Sequence, residues 1–372
     1  MPIARLTLGL VAAALLAGCA GIAPRGGASA VKVVWPELVV HLHGAKGQAY
    51  LVDPRTDAVV ATLTTTTGGA LGTTTPDGKR VYVGSEFPKG DTVTVIDLDK
   101  RDVVARIRTG NRPKHPLVSP DGKWVLVNHW GLDDGKLRVT FIDTATNRGA
   151  RNIDLEVPFD PGPTAVTSMH NSWSRDSRYA FTVERVGSHL VVIDTRDWSV
   201  RRIKVGSAPH YPVPSPDGKE LWLVVEGRDR AGERPGAIVY DLPGLTPKAR
   251  LDMPLEGQNV LEGHHGSFSQ DGKVFFMLNR GPGANLAGTE IVAFDAQTKK
   301  LLARTATKST GIGHAYNTPD GRWAYVSNAG DGNRHKIDMS TLTVVKEIRT
   351  GDASGGSQVL NVWTNVFEEL PR

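Results

Sequence analysis

The sequence predicts an all-β chain folded as a seven-bladed β-propeller of four-stranded antiparallel blades. Three observations carry that reading. The first is a phrase that reads as strand, tight turn, strand: Pro113-Lys-His-Pro-Leu-Val-Ser-Pro-Asp-Gly-Lys-Trp-Val-Leu-Val-Asn128. In its Ser-Pro-Asp-Gly turn, Pro presets φ and Gly is free to take a positive one. The apolar run after the turn has the look of a buried strand. The phrase recurs around Asp77, Asp121, Asp176, Asp217, Asp271 and Asp320, at intervals of 44, 55, 41, 54 and 49 residues. A strand-turn-strand repeat of about 45 residues suits a propeller blade and not a helical solenoid.

The second observation is an apolar strand that ends in Asp before a polar turn. It occurs seven times, ending at Asp53, Asp97, Asp143, Asp194, Asp241, Asp295 and Asp338. These Asp side chains are expected to cap the following bend through backbone hydrogen bonds. The third is the mismatch of seven such copies against six of the first phrase. The missing strand of the N-terminal blade must then come from the other end of the chain, with residues 357–362 as the candidate. A C-terminal strand in the N-terminal blade closes the ring and removes open sheet edges.

Ahead of the repeats, Arg5 and the mostly apolar residues 6–16 read as a leader, residues 1–18, too short to span a bilayer. It ends in Leu16-Ala17-Gly18-Cys19, which resembles the bacterial lipobox, where the leader is cut before Cys and the thiol is lipidated. The resemblance implies an envelope lipoprotein held by its lipid and facing the periplasm. Ala20, in place of Asp, implies the outer membrane. Residues 19–30 follow as the lipidated Cys and a small-residue tether. Residues 31–372 are expected to form one propeller. Cys19 is the only cysteine, so a lipidated chain has no disulfide and no thiolate ligand. The formal net charge of +5 is spread over scattered pairs such as Lys79-Arg80, Arg201-Arg202 and Lys299-Lys300. No continuous basic stripe marks a nucleic-acid partner.

The repeats resemble those of YVTN-type propellers, with Arg322-Trp-Ala-Tyr-Val-Ser-Asn328 and Lys79-Arg-Val-Tyr-Val-Gly84 as close matches. That resemblance implies the fold and is nearly silent on function. The chain departs from the pattern six residues before the turn Asp, where the family carries Gly. Here the position holds His115, His170, His265 and His314, with His210 one residue earlier and His264 completing a pair in its blade. The strand before the turn is the innermost of a blade, so these residues should form a ring at one level of the central channel. His41 and His43 lie two apart on the first strand and point to one side. Glu86, Glu184 and Glu226, at the ends of partner strands, replace the Asn found at Asn128, Asn279 and Asn328 and should converge on the same mouth.

Imidazoles from several blades suit a transition metal or metallo-cofactor, with copper ahead of haem iron or zinc. The expected metal residues are His115, His170, His210, His264, His265 and His314, joined in a wider set by His41, His43, Glu86, Glu184 and Glu226. The hub is similar in kind to the His hubs of nitrous-oxide reductase and of haem-binding nitrite reductase propellers. The chain lacks the Cys-rich copper domain of the first and the Cys-x-x-Cys-His of covalent haem. The role favoured for the His-lined channel is binding, delivery or maturation of a metal centre, with catalysis second. The alternatives are a metal-independent ligand- or protein-binding scaffold with a periplasmic partner, and a lactonase-like hydrolase with a His base beside Glu. A scaffold would use the longer loops at 131–136, 227–236 and 281–288. Trp124, Trp173, Trp222 and Trp323 are expected to pack between blades. His129, His189 and His335 are expected at the surface.

Overall fold

Seven four-stranded antiparallel sheets make up the computed structural model. It describes residues 38–53, 56, 58–69, 71–85, 90–206, 208–227, 234–254, 263–269, 271–280, 290–306, 312–317, 322–328, 333–349 and 359–360. Six sheets are simple meanders, the first of them Gly72–Thr74, Arg80–Val83, Thr92–Asp97 and Asp102–Arg108. The N-terminal sheet is different. Val359–Leu360 lies beside Val39–His43, followed by Gln48–Asp53 and Ala58–Thr64. The C-terminal strand pairs Val40 with Leu360 and His41 with Val359, so it closes the first blade as the repeat count requires. Among the described residues the single helical turn is Gly44–Lys46.

The turns follow their sequence. Ser119 Oγ donates to Asp121 Oδ1 at 2.6 Å, and the same carboxylate oxygen accepts the Lys123 N–H at 3.2 Å. Gly122 closes the turn with a φ of +74°. The arrangement recurs at Thr75 with Asp77, Ser174 with Asp176, Ser215 with Asp217, and Ser269 with Asp271. The strand-end Asp residues also cap as expected: Asp97 takes the Lys100 N–H at 2.9 Å and Asp143 the Thr146 N–H at 2.8 Å.

In the five blades whose second strand is described on both faces, that strand is buried on both, which explains its unbroken apolar run. Alternate residues of Glu220–Val225 divide between two cores. Leu221, Leu223 and Val225 pack with Phe181 and Val183 of the preceding blade. Trp222 and Val224 pack with Phe275 and Met277 of the next. Phe276 and Leu278 in turn pack against Ala324 and Val326. Trp173 and Trp222 are buried in such seams, as expected, and Trp173 Nε1 reaches across to the Leu117 carbonyl at 2.9 Å.

The first strands of successive sheets touch one another, as Pro209–Pro214 does both Ser172–Trp173 and Gly263–Phe268, so they form the hub. One loop expectation changes here. The segment 131–136 closes tightly, with Asp133 and Lys136 exchanging backbone hydrogen bonds at 2.9 Å around Asp134 and Gly135, both at positive φ. That is a two-residue hairpin turn of the primed type and not an open loop. A longer described connection lies at residues 157–171, anchored by Thr167 N–H to the Trp130 carbonyl and by Arg185 N–H to the Thr167 carbonyl. Residues 228–233 and 281–288, expected as loops, lie outside the described residues.

Candidate functional site

In three blades the hub histidine sits where its inner strand breaks ladder register. Pro209 pairs with Val225 and Tyr211 with Val224, which leaves His210 as an extra residue between them. Gly263 pairs with Asn279 and Gly266 with Met277, so His264 and His265 together oppose Leu278. In the last blade Gly313 and His314 oppose Ser327 in the same way. A β-bulge turns the inserted side chain away from its normal alternation. The one-residue offset of His210 and the doubled His264-His265 are the sequence traces of these bulges.

The result is a cluster. His170, His210 and His264 each offer a ring nitrogen, and the three atoms lie within 4.8 Å of one another. All three rings are buried, at 0%, 0% and 3% exposure. His210 and His264 are 4.3 Å apart between ring centroids, and His170 and His210 5.0 Å. His115 joins at the edge, with its Nδ1 3.3 Å from that of His170. His265 turns aside and stacks on Tyr211 at 4.4 Å, its centroid 5.7 Å from that of His170. Tyr211 occupies the register that other blades give to His, and burial pushes its phenol up to about 12.

Burial also sets the charge of the imidazoles. It lowers His115 to about 3, with nearby Lys114 adding to the effect. It lowers His210 to about 4 against the opposing pull of Glu226. His265 is pushed well below its ordinary value, again chiefly by burial. At neutral pH these rings are uncharged and carry a lone pair, the form that binds metals.

The acidic residues do not form the single level expected of them. Asn128, Glu184 and Glu226 stand seven, eight and nine residues after their turn Asp. Each step of one sends a strand side chain to the other face. Glu226 reaches the cluster: its Oε1 lies 2.6 Å from His210 Nδ1 and its Oε2 accepts from Arg185. Glu184 does not. It binds His189 Nδ1 at 2.7 Å, Arg202 at 3.0 Å and the Gly187 N–H, all within its own blade. His189 is thus the partner of a buried carboxylate. Two other histidines expected at the surface are buried. His129, fully buried, has Nδ1 2.9 Å from the Arg138 carbonyl and Nε2 3.3 Å from Thr109 Oγ1. His335 is 1% exposed. His41, His43 and His314 are described through their backbones alone. Glu86 and Cys19 lie outside the described residues.

Cations surround the cluster and were not singled out from the sequence. Arg280 Nη1 lies 3.4 Å from His264 Nε2. Lys114, next to His115, holds its ammonium 4.1 Å from the Trp130 ring centroid. Arg112 lies over the same ring and donates to the Ala165 carbonyl at 3.2 Å. Their sequence signal is slight, since each is a single basic residue at a strand end.

The chain is 26% identical over 336 residues to the dihydro-heme d1 dehydrogenase of Pseudomonas aeruginosa, covering 77% of this chain and 63% of that protein. It is 29% identical over 149 residues to protein NirF of the same organism, covering 38% of this chain and 37% of that protein. It therefore spans less than two thirds of the length of either relative. Among solved structures, dihydro-heme d1 dehydrogenase NirN in complex with DHE superposes with a TM-score of 0.58 at 20% identity, covering 91% of this chain and 78% of that one. The periplasmic gluconolactonase PpgL of Pseudomonas aeruginosa superposes at 0.64 and 19% identity, covering 85% and 96%. Likenesses at that identity establish the propeller fold alone. No family model matches the chain.

Proposed function

We propose that this chain is an envelope-anchored propeller that binds an iron-bearing tetrapyrrole of the haem d1 type at its hub and serves the making, holding or handing-on of that cofactor. The carrying observation is the buried cluster of His170, His210 and His264 on a chain whose aligned relatives include a dihydro-heme d1 dehydrogenase. The residues fit such a group. A neutral imidazole is a natural axial ligand for haem iron. His210 fits best, since its Nε2 is buried without a hydrogen-bond partner among the described residues. Lys114, Arg185 and Arg280 supply positive charge beside the cluster for acidic substituents on the macrocycle. Once bound, the iron supplies redox and ligand-binding chemistry, while the chain supplies orientation and exclusion of water. The relatives speak for haem iron ahead of copper, which reverses the order expected from the histidines alone. Cys19 is the proposed lipid anchor, with the propeller facing the periplasm from the outer membrane.

A second reading has one observation of its own. Three imidazole nitrogens within 4.8 Å are close to what a bare transition metal needs. An ion about 2.1 Å from each nitrogen asks for nitrogens roughly 3.4 Å apart, which small ring rotations supply. Titration of residues 20–372 with ferric haem d1, followed by absorption, tests both. A stoichiometric Soret shift that is lost in His210→Ala supports the tetrapyrrole. No shift, with about one equivalent of copper or zinc retained through dialysis, supports the bare metal. Neither result would leave a metal-independent scaffold and sink the proposal.

A further inference from the structure

Glu226 and Arg280 face two neighbouring imidazoles from opposite sides of the chemistry. An ionised carboxylate can only accept a hydrogen bond, and a guanidinium can only donate one. Glu226 Oε2 accepts from Arg185, which keeps the carboxylate charged in a site where it is 1% exposed. Its Oε1, 2.6 Å from His210 Nδ1, therefore takes a proton that His210 must carry on Nδ1. The lone pair of His210 is left on Nε2. Arg280 Nη1, 3.4 Å from His264 Nε2, donates, so the lone pair of His264 is spent there and its proton also sits on Nδ1.

We infer that Glu226 and Arg280 assign the two rings different parts: His210 gives an electron pair to the metal of the ligand, and His264 gives an N–H to an anionic oxygen of the same ligand. The hub thus recognises a metal complex that carries a carboxylate or other oxyanion beside its metal, and not three equivalent ligands around a bare ion. Glu226 and Arg185 are positioning residues, acting on the ligand through His210. A hydrogen-bonded carboxylate behind a ligating imidazole fixes its tautomer and raises its basicity.

This deepens the tetrapyrrole reading and rests on it for the ligand, but the tautomers can be read with no ligand present. The decisive measurement is ¹⁵N NMR of metal-free protein labelled at histidine, with His210→Gln and His264→Gln used to assign the signals. Both rings are expected as Nδ1–H tautomers. An Nε2–H signal from His210 would overturn the inference even if haem binds. The second arm is ferric protohaem, titrated by absorption. Glu226→Gln should weaken it about 10- to 100-fold with the sheet spectrum unchanged. His264→Gln should weaken protohaem but leave its etioporphyrin counterpart, which lacks carboxylates, unaffected. Equal losses for both probes would overturn the role given to His264. If the wild-type chain binds neither probe and does not bind haem d1 either, the tetrapyrrole reading fails while the NMR still decides the tautomers.

Discussion

The backbone N–H of His170 donates to the carbonyl of His210 across 3.2 Å. Two inner strands from neighbouring blades are thereby joined at the level where their side chains meet. Glu226 N–H adds a second tie, to the Ala208 carbonyl at 2.8 Å. Asn128 and Asn171 extend it to the blade before, since Asn171 donates both to Asn128 Oδ1 at 2.9 Å and to the His115 carbonyl at 2.8 Å. The spacing of the imidazoles is thus set by main-chain and amide bonds that do not involve the rings.

It follows that the rings can be removed without losing the hub. The triple variant His170→Ala, His210→Ala and His264→Ala should keep the β-sheet circular dichroism of the wild type while haem or metal affinity drops at least about 100-fold, as for loss of several ligands together. Retention of the metal by a folded triple variant would move the site elsewhere on the propeller.

Arg185 has a structural duty as well. Its loss leaves the Glu226 carboxylate buried beside His210 with its strongest partner gone. Breaking a buried pair from one side costs about 3–5 kcal/mol, mostly from the charge left behind. Arg185→Met should therefore lower stability by that order in urea titrations, and the double variant with Glu226→Gln should recover part of it. Additive losses would show that the pair is not coupled.

Stability should also depend on pH through the buried imidazoles. His129 and His210 are held near 4 by burial, whereas an unfolded imidazole titrates near 6.5. The unfolded chain therefore binds more protons between those values. The stabilisation is complete above about pH 6.5 and falls as pH drops toward 4, by up to about 1.4 kcal/mol per pH unit for each ring. The turn carboxylates Asp121 and Asp217 are lowered from 3.8 and so act only below this window. Urea midpoints at pH 7.5, 6 and 5 should decline steadily. A flat profile over that range would refute the burial-driven shifts.

The fold was legible in the sequence because its signals are local. Ser-Pro-Asp-Gly makes its own turn through Ser119 and Asp121, and Trp124 to Val127 shows the apolar run of a strand buried on both faces. The closing strand was legible by counting. The site was legible only in part. The His register named the cluster, but a one-residue slip carries opposite meanings in two places. At His210 it marks a bulge that keeps the ring in the hub. At Glu184 it turns the carboxylate into its own blade. Single residues give no sign of which applies, because bulges and strand ends are decided by pairing across the sheet. The cations Arg185 and Arg280 escaped for a related reason: what matters is the ring each one faces, which depends on contacts between residues far apart in the chain.

Closure itself is open to test. Val359–Leu360 covers the edge of Val39–His43, and that strand's Val40 and Leu42 belong to the seam with Val81 and Val83. A chain ended at residue 350 would expose the edge of the first blade, which invites pairing with another copy. It should melt at a lower temperature, by roughly 2–4 °C for each kcal/mol lost, and elute in part as dimers or larger species. Adding the peptide 351–372 in trans should restore much of the monomer. A truncated chain that stays monomeric with an unchanged melting temperature would mean that the terminal strand covers the first blade without holding the ring together.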